Sequence, residues 1–290
     1  MTADDLVSLF DLESFGPDRY VGHSPTNGWK RVFGGQVIAQ ALIAAQRTVE
    51  GRTLHSLHVY FILGGDPREP ILFEVERIRD GRSFTTRRVV ARQRGEAIFA
   101  LSASFQVEEE GLEHQYPMPD VPDPEGLPNP VQLAALAGEA AQQRVKGFFD
   151  HIRPIELRPI DLRRYQPAQA GQKRDPRQSI WIRIAGRLPD DPAIHRAALA
   201  YLSDMTLLDT VLVAHGYSIS SGRFQVASLD HAIWLHRPFR ADEWLLYVQD
   251  SPSACGARGL TRGLLYTRAG ALVASVAQEG LLRARVATVI

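Results

Sequence analysis

The sequence has almost no cysteine and no net charge. Among its 290 residues there is one cysteine, Cys255, so the chain cannot form an internal disulfide, which fits a reducing compartment. The 33 basic and 33 acidic residues give a formal net charge of zero, which argues against a partner such as nucleic acid or an anionic membrane. No uncharged apolar run reaches the length of a membrane span, and the acidic N-terminus is not a secretory signal. We therefore expect a cytoplasmic protein.

Several catalytic and cofactor motifs are also missing. The chain has no G-x-S-x-G turn, which argues against a Ser-His-Asp hydrolase. It has no H-E-x-x-H motif, paired cysteines, G-x-G-x-x-G or P-loop, so we expect neither a metal nor a bound cofactor. Cys255 lies in a turn rich in Ser, Gly and Ala without a nearby base, and we expect an inert thiol.

What is present is one helix-then-strands pattern that occurs twice. The first part begins with a short amphipathic helix over residues 4–13 and a longer one within Arg31–Val49, where the Gly34-Gly35 pair makes a tight entry. Strand-like runs follow at Ser56–Leu63, Ile71–Ile78, Ser83–Gln93 and Ala97–Gln106. One helix against several antiparallel strands is an α+β arrangement.

A proline-rich stretch separates the two parts. Six prolines lie between Pro117 and Pro130, so this stretch predicts a linker, and Val131–Lys146 predicts a connecting helix. The pattern then restarts with strands at Ile155–Leu162 and Gln178–Ile184, a helical region from about Asp190 to Ala214, and strands at Gln225–Leu235, Trp244–Gln249, Ala257–Thr267 and Ala271–Leu281. The predicted division is a first repeat over 1–116, a linker and helix over 117–150, and a second repeat over 151–290.

The two parts predict a tandem duplication. In each, an arginine is followed after eight residues by a turn glycine, Arg87 with Gly95 and Arg262 with Gly270, and a strand of small residues comes next. The exposed edge of one sheet needs covering, so we expect the two sheets to pair edge to edge.

Asp204 is the most unusual residue of the second helical region. Ala198–Ala214 has apolar residues at helical spacing, and Asp204 lies inside that pattern. A carboxylate beside an apolar face needs a partner, and its pKa can shift toward that of a catalytic base. The alternative is a helix N-cap or a solvated edge residue, since aspartate favours helix starts.

At this point the chain resembles the bacterial acyl-CoA thioesterase II family (TesB type). The motifs that carry the resemblance span most of the chain in order: RVFGGQVIAQAL (Arg31–Leu42), RDGRSFTTRRV (Arg79–Val89), the Ala97–Gln106 strand, LSDMTLL (Leu202–Leu208), IWLHRPF (Ile233–Phe239), EWLLY (Glu243–Tyr247) and VASVAQEGL (Val273–Leu281). The resemblance implies an α+β double hotdog, in which a long helix wrapped by a curved antiparallel sheet is repeated in tandem. It also implies a homo-oligomer, a dimer or a tetramer, that acts on acyl-CoA.

The resemblance implies a catalytic trio at Asp204, Ser228 and Gln278. The family has Thr or Ser at the second position, and Ser228 supplies the hydroxyl. Chemically, Asp204 would act as general base toward a water that Ser228 and Gln278 hold in place. A helix N-terminus near Asp204 would offer N–H groups to the developing oxyanion.

Other hypotheses stay open beside the thioesterase. A hotdog dehydratase or hydratase would use a histidine with a carboxylate, and a non-catalytic module would bind acyl-CoA without turnover. Strand alternation predicts that His231 faces away from Ser228, and we expect His58, His231 and His236 to be structural. An acyl chain would need an apolar tunnel, and the aromatic candidates for its wall, which could equally be core, are Phe61, Phe84, Phe99 and Trp234.

Overall fold

One antiparallel sheet of thirteen strands dominates the computed structural model, which describes residues 1–25, 30–135, 154–161, 173–217 and 222–285 and positions 139, 143, 146 and 219. The helices are α1 (Ala3–Phe10), α2 (Gly34–Gln46), α3 (Pro130–Ala135), α4 (Pro192–Ser203) and α5 (Asp209–Ala214). The strands are β1 (Glu13–Ser14), β2 (Arg19–Gly22), β3 (Thr53–Phe61), β4 (Ile71–Asp80), β5 (Phe84–Gln93), β6 (Glu96–Gln106), β7 (Ile155–Pro159), β8 (Arg177–Ile184), β9 (Phe224–Ser228), β10 (Asp230–Leu235), β11 (Leu245–Cys255), β12 (Arg258–Thr267) and β13 (Leu272–Ala284).

The sheet consists of two halves that join at β3 and β10. Its order runs β1-β2-β4-β5-β6-β3 and continues β10-β13-β12-β11-β8-β7, with β9 also paired to β13. β3 and β10 are antiparallel, and His58 lies opposite Ala232. Because each strand supplies the donors and acceptors that the other strand's edge lacks, neither edge is left open. The predicted edge-to-edge pairing of two sheets is confirmed.

Each half packs one long helix against its sheet, and the two helices also pack against each other. Every residue of α2 from Gly35 to Ala45 is buried, as expected for a helix covered on all sides. The facing helix α4 is rich in buried alanines, whose small side chains allow close approach. Arg196 Nε on α4 donates to Gln46 Oε1 on α2 at 2.9 Å. The described helices include none that is long and apolar enough to cross a membrane.

The helical region predicted over Ala198–Ala214 is interrupted at Asp204, so the prediction that Asp204 lies inside a helix is wrong. α4 ends at Ser203, and Asp204 is its C-cap. Tyr247 Oη donates to the carbonyl of Ser203 at 3.0 Å, which occupies the acceptor that the next turn would use. The break therefore depends on a strand far away in sequence.

The strand predicted over Gln225–Leu235 is interrupted as well, at Leu229. β9 and β10 both pair with β13, but their registers differ by one residue. The paired positions are Ser228 with Gly280 before the break and Ala232 with Ala277 after it. The β9–β10 segment therefore has one more residue than the stretch of β13 that it faces, which is a β-bulge.

This bulge changes which way His231 points. Counting by twos from Ser228 assumes an unbroken strand and sends the two side chains to opposite faces. Continuing the β10 register by one residue places His231 opposite Gln278, and Gln278 also contacts Ser228. The prediction that His231 and Ser228 face opposite sides is wrong, because the extra residue reverses the alternation.

The proline-rich segment packs against the outer face of the second half. Trp181 alternates with Ile180 and Ile182 of the core, so its ring points to the other face, where its Nε1 donates to the carbonyl of Pro122 at 2.9 Å. Gln115 donates to one backbone carbonyl and accepts from one backbone N–H near the end of β12. Trp181 belongs to an apolar cluster with Trp244, Leu246, Tyr266 and Leu272, against which Met118, Val121 and Leu127 pack. Of the helix predicted at 131–146, the part beyond α3 lies outside the described residues apart from 139, 143 and 146.

Candidate active site

The three side chains predicted as a site meet where α4 ends. Gln278 Nε2 donates to Asp204 Oδ1 at 2.9 Å and to Ser228 Oγ at 2.7 Å. Gln278 is fully buried, whereas Asp204 and Ser228 are partly exposed. The buried amide therefore links the side chains of two residues that are only partly buried.

Gln278 is held on an inward-facing position of β13, opposite Thr261 of β12. Its amide has two N–H donors, and the contacts with Asp204 and Ser228 employ both. The negative charge of Asp204 selects this orientation, since a rotated amide would place its oxygen against the carboxylate. Its Oε1 is buried and has no hydrogen-bond partner within the described residues.

Asp204 caps the helix of the other half. Its Oδ2 accepts the backbone N–H of Gly35 at 2.9 Å, in the first turn of α2. The residue at the N-cap of α2 itself is Phe33, whose side chain has no acceptor. A carboxylate at a helix N-terminus is stabilised by the partial positive charge there. The predicted helix N-terminus beside Asp204 therefore exists, and it belongs to α2 rather than to Asp204's own helix.

The Gly34-Gly35 pair leaves room for this contact. A Cβ on Gly34 would lie 2.7 Å from Asp204 Oδ2 and 3.0 Å from the ring of Phe61. A Cβ on Gly35 would lie 2.5 Å from the backbone oxygen of Tyr201. Both distances are shorter than nonbonded contacts allow, so glycine is required at both positions for α2 to approach the end of α4.

The Asp204 carboxyl titrates closer to neutrality than an ordinary aspartate. Burial raises the pKa of Asp204 to about 6, although the hydrogen bonds from Gln278 and Gly35 act in the opposite direction. A carboxylate with this pKa is ionised at pH 7 and is a stronger base than a solvated one.

The histidines differ in their access to this site. His231 is buried, and its Nε2 lies 2.9 Å from Ser203 Oγ. Burial lowers the pKa of His231 to about 4, so the ring is neutral at pH 7. His58 and His236 lie away from the trio, against the ring of Trp234 and against Ser275 Oγ respectively.

One of the four predicted tunnel aromatics lies at the site. The ring of Phe61 lies beside Gly34, and the buried Phe99 packs behind it with the two ring centroids 5.5 Å apart. Phe84 and Trp234 are 42% and 37% exposed, on the outer face of the sheet. These two side chains therefore cannot line an interior tunnel.

Sequence reasoning missed the groups that fix Asp204 in space. The Gly35 N–H and the Tyr247 hydroxyl come from elements distant in sequence, and no local pattern links them to Asp204. The glycine pair was the available signal, since adjacent glycines at a helix start indicate close approach. Among the described residues no group of three or more His, Cys, Asp or Glu could hold a metal ion.

Solved structures share this fold over the whole chain. An acyl-CoA thioesterase II, TesB2, from Mycobacterium marinum is 43% identical with a TM-score of 0.79, and 98% of each chain is covered. A protein with a hot dog fold from Alicyclobacillus acidocaldarius is 20% identical with a TM-score of 0.75, over 97% of this chain and 99% of that one. The fold therefore defines a double hotdog, and the prediction of this α+β class is confirmed.

Curated proteins and family models match as well. Acyl-coenzyme A thioesterase 8 of Mus musculus is 40% identical over 96% of this chain and 88% of that protein. Acyl-CoA thioesterase 2 of Haemophilus influenzae is 38% identical over 97% of both. The family model described as acyl-CoA thioesterase matches residues 150–281, and that of the acyl-CoA thioesterase N-terminal domain matches residues 23–106. The chain belongs to the acyl-CoA thioesterase family, a family of thioester hydrolases, as its motifs predict.

Proposed function

We propose that this protein hydrolyses fatty acyl-CoA to a free acid and CoA, with Asp204, Ser228 and Gln278 as its catalytic residues. The observation that carries the proposal is the buried Gln278 amide, which holds a partly exposed carboxylate beside a hydroxyl. The burial that raises the pKa of Asp204 to about 6 suits it to act as general base near neutral pH. The relatives that cover almost the whole chain are named acyl-CoA thioesterases, which supports the substrate class.

The nucleophile in this proposal is a water between Asp204 and Ser228. A water that donates one O–H to the carboxylate and the other to Ser228 Oγ keeps its lone pairs free for attack. Both N–H groups of Gln278 are already engaged, so Gln278 orients the two groups that hold the water rather than holding it directly.

The N-terminal turn of α2 is the proposed source of oxyanion stabilisation. The Gly35 N–H of this turn points to Asp204 at the end of α4, and the absence of side chains at Gly34 and Gly35 lets a substrate carbonyl approach the positive end of the helix. Negative charge on the thioester oxygen is then stabilised by the same helix end that holds Asp204.

The proton and electron balance of the reaction is simple. Asp204 takes a proton from the water as the oxygen bonds to the thioester carbon, and the tetrahedral intermediate expels the CoA thiolate. The proton on Asp204 then goes to the sulfur. A free thiol has a pKa of about 8.5, so the thiolate is a good leaving group.

The geometry disfavours the rival reaction, a dehydratase or hydratase that uses a histidine. His231 is buried, and its ring lies between Ser203 and the strand position of Gln278. A general acid or base must reach the substrate directly or through one water. The non-catalytic acyl-CoA-binding module differs from the thioesterase only in turnover, so a measurement of turnover separates them.

The test is thiol release from short-, medium- and long-chain acyl-CoA by the wild type and by Asp204→Asn. Asparagine caps a helix about as well as aspartate, so its oxygen can still accept the Gly35 N–H, whereas its NH₂ group replaces the oxygen that faces Gln278 and the base is lost. We expect kcat to fall by about 10²-fold or more with KM little changed.

Asp191→Asn is the matched control. Asp191 caps α4 through Ala193 N–H at 2.8 Å, and it lies at the opposite end of that helix from Asp204. Its kcat should equal that of the wild type. Wild type that binds acyl-CoA without releasing thiol would establish the binding module instead, and equal turnover by wild type and Asp204→Asn would refute the assignment of the base.

Three further features of the protein remain predictions. They are the division into a repeat over 1–116, a linker over 117–150 and a repeat over 151–290; the cytoplasmic location; and the homo-oligomer. Light scattering coupled to gel filtration measures the mass in solution, and a mass of 32.2 kDa, that of one chain, would contradict the predicted dimer or tetramer.

A further inference from the structure

We propose that His231 is a positioning residue of the candidate active site, whose Nδ1–H donates to Gln278 Oε1 and thereby aims the Gln278 amide at Asp204 and Ser228. Whether this hydrogen bond forms does not depend on the activity of the protein. Its effect on turnover rests on the proposed function.

The first argument is that two buried polar atoms without partners belong to neighbouring residues on paired strands. Within the described residues four buried side-chain nitrogens or oxygens have no hydrogen-bond partner, and two of these are His231 Nδ1 and Gln278 Oε1. Leaving such an atom unsatisfied is unfavourable, because the buried group has lost its hydrogen bonds to water. The register of β10 on β13, continued by one residue from Ala232 and Ala277, places the two residues opposite each other, and Cβ atoms of opposite residues lie about 4.5–5.5 Å apart. A bond between them satisfies both atoms.

The second argument concerns the tautomer of His231. If Nε2 carried the proton, it would donate to Ser203 Oγ, and the bare Nδ1 would face the carbonyl oxygen of Gln278, acceptor against acceptor. If Nδ1 carries the proton, it donates to Gln278, and Nε2 accepts from the Ser203 hydroxyl at 2.9 Å. The second arrangement gives up only the Ser203 bond to the Ala200 carbonyl. Gln278 raises the pKa of His231 against the larger, lowering effect of burial, which is the direction expected if Gln278 accepts from Nδ1–H.

The resulting network closes a ring. Ser203 contacts His231, His231 faces Gln278, and Gln278 donates to Asp204, which is the neighbour of Ser203 in the chain. Hydrogen bonds in such a chain strengthen one another. The outcome for Ser228 is that its Oγ accepts from Gln278, so its own proton is free to point into the site.

The need for His231 arises when Asp204 takes up a proton. A protonated Asp204 can donate, and it would then tolerate a rotated amide with Oε1 toward it and the NH₂ group toward His231. Such a rotation would remove the donor to Ser228 and delay the return of the site to its starting arrangement. The Nδ1–H of His231 opposes the rotation, because it would then face two amide hydrogens.

The direct test is the tautomer in the wild-type protein. Long-range ¹H–¹⁵N correlation spectra of ¹⁵N-histidine-labelled protein distinguish a protonated Nδ1 from a protonated Nε2, and comparison with His231→Asn assigns the signal. We expect Nδ1–H for His231 at pH 7. A protonated Nε2 would overturn the proposal, whether or not the protein turns over acyl-CoA.

The second test is kinetic and uses His231→Phe and His231→Asn. Phenylalanine keeps the ring and removes the donor, so kcat for thiol release should fall about 10- to 100-fold with KM little changed. The Asn side-chain NH₂ occupies nearly the place of the histidine Nδ1–H, so this variant should recover most of the loss. Unchanged kcat in a folded His231→Phe, or equal losses in both variants, would overturn the proposal.

His195→Phe is the matched control for packing damage. His195 is a buried histidine of α4 whose Nδ1 accepts the N–H of Ala241 at 3.1 Å. It lies nine positions before Asp204, so its replacement perturbs the same helix without changing the hydrogen bonds among Ser203, His231, Gln278 and Asp204. We expect this variant to lose stability and keep kcat. If wild type releases no thiol at all, the proposed function fails while the tautomer measurement still decides the hydrogen bond.

Discussion

The two halves of the molecule share a backbone plan, yet only the second half carries the polar set at its inner strands. In the first half β3 pairs with β6 in a register that shifts at His55, just as the register on β13 shifts at Leu229. This correspondence places apolar residues where the second half has polar ones. The pairs are Leu54 with Ser228, Leu57 with His231, and Ala103 with Gln278.

The comparison separates what the fold requires from what the site requires. Leu54, Leu57 and Ala103 are all at most 2% exposed, so the bulge and the sheet form with an apolar core at these positions. Buried polar groups cost free energy unless each is hydrogen-bonded. The second half therefore needs a complete set of hydrogen bonds around Gln278 and His231, which the first half does without.

The N-termini of the two long helices also differ, and here it is the first half that depends on a group from the second. α4 begins with Asp191 and Pro192, a cap and first turn that are complete within the helix. α2 begins with a glycine pair and takes its capping carboxylate from Asp204 of the other half. The first half thus supplies the helix N-terminus and the second half supplies the carboxylate, so both halves contribute to the candidate active site.

The largest expected contrast compares Leu54→Ala with Ser228→Ala. Leu54→Ala should lower the free energy of unfolding by about 2–5 kcal/mol through a core cavity, with kcat little changed. Ser228→Ala should lower kcat about 10- to 100-fold with stability nearly intact, and Ser228→Thr should keep the activity. Urea unfolding and thiol release measure the two quantities, and a kcat loss in a folded Leu54→Ala would remove the contrast.

The second contrast compares the first turns of the two helices. Gly35→Ala forces a Cβ against the Tyr201 carbonyl at 2.5 Å, so α2 must shift away from Asp204. We expect a loss of about 2 kcal/mol or more in stability, typical of overpacking, together with a clear fall in kcat. Ala193→Gly is at the equivalent position of α4 and should cost about 1 kcal/mol without affecting kcat. Equal kcat in wild type, Gly35→Ala and Ala193→Gly would show that activity does not need the contact between Asp204 and the start of α2.

The third prediction concerns pH. Because burial raises the pKa of Asp204 to about 6, kcat/KM should fall tenfold per unit as pH decreases below about 6. An ordinary aspartate would place this inflection near 3.9. Initial rates in buffers of constant ionic strength give the profile. An inflection near 4 would mean that Asp204 is solvated, or that it is not the base.

The smallest expected effect is on stability. A pKa of about 6 in the folded protein exceeds the unfolded value, so ionising Asp204 disfavours the native state, and stability contributed below pH 4 is lost as pH rises through 6. Asp204→Asn cannot ionise. We expect it to be more stable than wild type at pH 8, and the gain should vanish at pH 4. Urea unfolding at the two pH values checks this, and a variant less stable at pH 8 contradicts it.

Much of the fold could be predicted from the sequence because its signals are local and repeated. The strands that alternate apolar and polar residues, and the turns at Gly95 and Gly270, lie close to where the pattern placed them. The two errors, the break at Asp204 and the bulge at Leu229, share a cause. Each depends on partners in other strands, which a pattern read along one segment does not contain.

The candidate site divides in the same way. Asp204, Ser228 and Gln278 were named through a resemblance to a family, and the structure brings their side chains into contact. The Gly35 N–H that binds Asp204 lies 169 positions earlier, and His231 was assigned to the wrong face. Residue types along a strand predict which groups are available, whereas a one-residue register shift decides which of them meet.

The capping of α2 by Asp204 has a consequence for how the protein is made. Synthesis proceeds from the N-terminus, so α2 leaves the ribosome long before the carboxylate that completes its first turn. Until then the helix start, with its glycine pair, has only water to satisfy it. A chain that has made only its first half therefore has an unfinished helix and lacks the carboxylate proposed as the base, and the helix start is completed in the same folding event that places this carboxylate.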